Sequence, residues 1–149
     1  MTLYEELTTG ILAEQIAPYI ISGNDGEINR LLTEQNISVN GSVSVNTFAI
    51  WCAETGMRAV ITDQAVNPAS PLRSIALTLL DLLQGNLTPA SLDLSIAQNV
   101  DMLHVWVTAG LLTTAQEQEL ILLSKKLISR AEQLGIDCSI TEIAKSLRG

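Results

Sequence analysis

Residues 70–85 read SPLRSIALTLLDLLQG. Ser70 followed by Pro71 signals a helix start, because proline at the first helical position gives up no hydrogen bond that the helix needs. Beyond it, Leu72, Ile75, Ala76, Leu77, Leu79, Leu80, Leu82 and Leu83 place apolar groups on all sides, and Gly85 closes the segment. A helix that is apolar all round is buried all round. The stretch from Leu72 to Gln84 therefore predicts a central core helix within a mainly all-α domain.

Helix punctuation on both sides agrees. Thr2 with Glu5, Ser95 with Gln98, Thr113 with Gln116, Ser129 with Glu132 and Ser139 with Glu142 have the spacing of a capping box. In that device the hydroxyl and the acid or amide satisfy orphan backbone amides at the helix start. The Ser95 helix is expected to end at Gly110, the Thr113 helix to run to Lys126 or beyond, and the Ser129 helix to end at Gly135. A helix from about Gly10 to Ile21 stops at Gly23, and Pro18 should kink or shorten it. Asn24 or Asp25 caps the next, which carries Ile28, Leu31 and Leu32 on one face. Asn46 or Thr47 starts another with Phe48, Ile50, Trp51 and Cys52, ending at Gly56, and Met57, Val60 and Ile61 follow on the next.

Residues 37–45 break the pattern. They alternate apolar and polar around Asn40-Gly41, which is a short β-hairpin signal because Asn-Gly suits the positive φ values of a type I′ turn. The segment is either a two-stranded wing or an exposed loop, and as a wing it must pack on something. The chain has 149 residues, one domain's worth. Residues 1–149 therefore read as a single helical domain, with its softest joint at 86–95.

Composition limits the chemistry. Sixteen acids against eight bases give a net charge of −8, the wrong sign for gripping phosphates, so no nucleic-acid partner is expected. Residues 141–147 resemble half of a helix-turn-helix with no recognition helix to follow. The opening MTLYEELTTG lacks the basic n-region of a secretory signal. No apolar run approaches the ~18 residues of a bilayer span, so no membrane partner is expected either. Cys52 and Cys138 fit no metal spacing and are expected to be reduced and buried.

The single histidine, His104, would need an orienting partner to act as a base. Asp101, three residues earlier, is the candidate partner, and Cys52 the candidate thiol nucleophile. A solitary histidine on an apolar helix is more often a core or interface side chain. The carboxylates at Glu5-Glu6, Asp25/Glu27 and Glu117/Glu119 do not converge by spacing and read as solvated faces. The expectation is a non-enzyme with no catalytic, cofactor-binding or metal site, no cofactor and no small-molecule substrate.

Apolar surface is in surplus. The first long helix carries Ile11, Leu12, Ile16, Tyr19, Ile20 and Ile21, and residues 96–109 carry Ile96, Val100, Met102, Leu103, Val105, Trp106 and Val107. Surplus apolar faces mark partner surfaces. Tyr19, Trp106, Ile16, Ile20 and Val105 are the interface candidates, whereas Trp51 reads as core. Charge is also uneven, with net −5 over residues 1–34 and net +2 over 125–149. Either the two ends of different copies attract each other head to tail, or these are scattered surface charges that never meet.

Several short stretches carry a resemblance. They include Thr2-Leu3-Tyr4-Glu5-Glu6-Leu7, Ala17-Pro18-Tyr19, Gly23-Asn24-Asp25 and Ser70-Pro71-Leu72-Arg73-Ser74-Ile75-Ala76-Leu77. Ala109-Gly110-Leu111-Leu112-Thr113 and Ser129-Arg130-Ala131-Glu132-Gln133-Leu134 extend it along the chain. With these the chain resembles a family of small helical proteins encoded among the virion and tail genes of tailed bacteriophages. The resemblance implies a structural or adaptor protein of the virion, tail- or baseplate-associated, made in the host cytoplasm. It would be present in several copies that bind other virion proteins or one another. The alternative is a soluble assembly or regulatory factor that binds another protein transiently. No site residues come with the resemblance.

Overall fold

The computed structural model describes residues 1–87 and 90–149. In chain order its elements are α1 (Leu3–Thr9), α2 (Ala13–Ser22), α3 (Asp25–Thr33), β1 (Ile37–Val39), β2 (Ser42–Ser44), α4 (Val45–Thr55), α5 (Met57–Val66) and α6 (Arg73–Leu83). They continue with β3 (Ser91–Asp93), α7 (Ala97–Thr108), α8 (Thr114–Ser124), β4 (Lys126–Ile128), α9 (Arg130–Leu134) and α10 (Ile140–Arg148). The described chain is mostly helical, as its sequence predicts. It divides into two compact units, one made of residues 1–38 with 127–149, the other of residues 39–126. The expected joint at 86–95 falls inside the second unit, and Thr88 and Pro89 within it lie outside the described residues.

In the first unit α1, α2, α3, α9 and α10 surround Leu3, Leu7, Ile16, Ile28, Leu32, Cys138 and Ile143. The capping boxes of Thr2 with Glu5 and Ser129 with Glu132 both form. Ser139 caps α10 through the Glu142 amide, while the Glu142 carboxylate turns to Lys145 at 2.7 Å. The α2 helix starts at Ala13 rather than Gly10, runs through Pro18, and ends at Gly23 with φ 70°.

In the second unit Phe48, Trp51, Cys52, Ile61, Ala76, Leu79, Leu103, Trp106 and Leu120 form the core. The Phe48 and Trp51 rings stack with centroids 5.8 Å apart. Ser44, not Asn46 or Thr47, caps α4, accepting the Thr47 amide. The α6 helix does not have the all-round burial expected of it. Ala76, Leu79 and Leu82 are buried, but Ser74, Leu77, Thr78 and Asp81 form an outward stripe. The three polar groups hold that face to water and carry Leu77, 44% exposed, with them. The Ser95–Gln98 box does not form either. Ser95 Oγ and its amide both donate to Asp93 Oδ1, at 2.5 and 3.0 Å, and α7 starts with no side-chain cap. The α8 helix stops at Ser124, short of Lys126, which belongs to β4.

Residues 37–45 contain the two expected strands but not the expected hairpin. β1 pairs with β4, and β2 pairs antiparallel with β3 in the register Ser42–Asp93, Val43–Leu92, Ser44–Ser91. Gly41 lacks the positive φ that a type I′ turn requires at both central residues. Its amide donates to the Ser124 carbonyl and its carbonyl accepts from the Leu94 amide, both at 2.9 Å. A Cβ at this position would lie 2.8 Å from Ser124 O. The glycine therefore serves a close approach between backbones, not a turn. No helix among the described residues is long and apolar enough to cross a membrane.

Candidate functional site

On the second unit the start of α6 and one face of α7 enclose an open groove of about 470 Å³. Asp101, His104, Val105 and Thr108 reach it from α7, at the i, i+3, i+4, i+7 spacing that shares a helix face. Pro71, Leu72 and Ile75 come from the other wall. Leu72 is buried, whereas Val105 is 44% exposed. Leu72, Ile75 and Val105 give the groove an apolar surface, and Asp101, His104 and Thr108 add its polar groups.

His104 Nδ1 lies 3.2 Å from Glu117 Oε2. Glu117 sits on the first turn of α8 and is buried, while the imidazole is largely exposed. The partner expected for His104 was Asp101, but the orienting carboxylate comes from the neighbouring helix. Gly110 ends α7 and Thr113 opens α8 three residues later, so the short connection folds α8 back on α7. The expected solvated face at Glu117/Glu119 is corrected accordingly: only Glu119 is exposed.

Cys52 does not join His104. It is sealed in the core, and burial pushes its thiol up to about 12, so it stays protonated and unreactive at neutral pH. Cys138 is buried in the first unit, and its thiol is likewise raised, by burial first and then by Asp137 and Glu6. Among the described residues no three His, Cys, Asp or Glu side chains form a metal-binding group.

The interface candidates separate. Ile16 and Trp106 are fully enclosed in the cores of their units and offer no surface. Tyr19 and Ile20 are half-buried against the first core. Val105 alone among the five lines the groove. Trp51 is core, as expected.

The first unit holds a site that sequence reasoning misread as a solvated face. Glu6 is 0% exposed. Arg130 Nε donates to its Oε1 at 2.7 Å and Nη2 to its Oε2 at 3.0 Å. Nη1 of Arg130 donates to Gln133 Oε1 at 2.7 Å. A Cβ on Gly10 would run into the Glu6 carboxylate, so glycine there leaves the acid its room. Arg148 binds Asp25 through two bonds of 2.8 Å. The acidic start and the basic end of the chain thus meet within one molecule. That overturns the alternative that the two ends never meet, and it engages Glu6, Asp25, Arg130 and Arg148 within the chain. No local spacing in the sequence reveals these pairs, because 124 positions separate Glu6 from Arg130 and 123 separate Asp25 from Arg148.

No protein-family model, curated protein or solved structure matches this chain.

Proposed function

We propose that this chain is a non-enzymatic structural or adaptor protein of a tailed-phage virion, tail- or baseplate-associated and working in several copies. One observation carries the protein-binding part of this reading. The α6–α7 groove offers an apolar surface, with Val105 44% exposed, on helices held by a packed core. A concave apolar patch with a few polar groups suits an anchoring side chain of another protein. The virion context rests on the resemblance carried by the stretches from Thr2 to Leu134.

The test is the protein content of purified particles, with Val105→Asp beside the parent. The parent is expected in the particles, cross-linked to a neighbouring protein. The variant is expected to keep its helical circular dichroism and to fall well below the parental level in particles. Equal incorporation of the variant would overturn the groove as the binding surface. A parent found only in the lysate of infected cells would favour the transient assembly or regulatory factor.

A further inference from the structure

We infer that the α6–α7 groove of one copy receives the end of α8 of a second copy of this chain, so that copies associate head to tail. The inference rests on the groove being a protein-docking surface, as proposed above. The groove contains an acid without a partner. The Asp101 side chain makes no ion pair or hydrogen bond among the described residues, and it stands one helical turn from exposed Val105.

The end of α8, on the same unit, has the opposite chemistry. Leu122 is 68% exposed and Leu123 48%. Lys125 follows as an exposed C-cap, its amide bonded to the Leu122 carbonyl at 3.2 Å. Lys125 also makes no ion pair among the described residues. Most other basic groups are engaged within the chain. Arg30, Arg130, Lys145 and Arg148 pair with carboxylates, and Arg73 donates to the Ala65 carbonyl.

A chain with a net charge of −8 repels its own copies unless a local patch of opposite sign meets an acid. An apolar groove with an unpaired acid and an apolar helix end with an unpaired base are complementary in both respects. The two surfaces share no residue, so one copy can use both at once. Such a contact is heterologous and continues from copy to copy into a ring or a stack.

The test is light scattering of the full-length chain over a concentration series, with Asp101→Lys, Lys125→Glu and their equimolar mixture. The parent is expected to rise above the mass of one copy with concentration, less so at high salt. Each reversal is expected to weaken association roughly tenfold, with circular dichroism unchanged because both positions are exposed. The mixture, in which the reversed groove meets the reversed helix end, is expected to recover it.

A parent that stays monomeric throughout, association that survives both reversals, or a mixture that does not recover would each overturn the inference. A monomeric parent whose Val105→Asp variant is still lost from particles would leave the groove to a different protein, and only the second copy would fall as its occupant.

Discussion

Arg130 and Glu6 show how one pair can decide the fate of a small core. Two bonds of 2.7 and 3.0 Å join groups that are almost wholly excluded from water. Removing one partner leaves a buried charge uncompensated, whereas replacing both by apolar groups is often neutral or better. Arg130→Met should therefore lower the unfolding free energy in urea by roughly 3–5 kcal/mol, and Glu6→Leu combined with Arg130→Met should regain most of that loss. Gly41 is constrained by a different contact. Its missing Cβ is what lets the backbone reach Ser124 O, so Gly41→Ala should cost roughly 1–3 kcal/mol in the same assay, as overpacking does. Neither role could be seen in sequence, because each depends on a residue more than 80 positions away.

Helix caps were legible because they are local. Thr113 and Gln116 satisfy each other's neighbourhood across three residues, with bonds of 3.1 and 3.0 Å. Thr113→Ala should shift the urea midpoint by the equivalent of about 1 kcal/mol. Ser95 has the same spacing to Gln98 but a nearer acceptor in Asp93, and serine hydroxyls readily take such local alternatives. Ser95→Ala should therefore cost less than Thr113→Ala, since it removes no cap. The strands of residues 37–45 were equally legible in their alternation. Their partners were not, because β2 pairs with residues 91–93 and β1 with 126–128.

The first unit is tied together from both ends of the chain, and acid should loosen each unit through its own carboxyls. The hydrogen bonds from Arg148 hold the Asp25 carboxyl below its ordinary 3.8, those from Ser95 do the same for Asp93, and the Thr2 amide for Glu5. A carboxyl whose folded pKa lies below its unfolded value adds stability that is fully present above the unfolded value. That stability is lost as the pH falls through the folded value. Urea unfolding at a series of pH values should therefore show stability falling as the pH drops below 4.5, the ordinary value for Glu5, and further below 3.8, that for Asp25 and Asp93. Asp25→Asn should be less stable than the parent at neutral pH and should lose less on acidification, because the Asp25 share of the loss is gone.

The helical class, most helix ends, the buried Trp51 and the inert cysteines follow from sequence alone. They depend on periodicity, capping spacing and residue type, all of which act within a few positions. The burial of Glu6 and Glu117, the partner of His104, the partners of the strands and the exposed stripe on α6 were settled by folding. Each depends on which distant segment packs against a residue, and a carboxylate in sequence looks the same whether it faces water or an arginine 124 positions away.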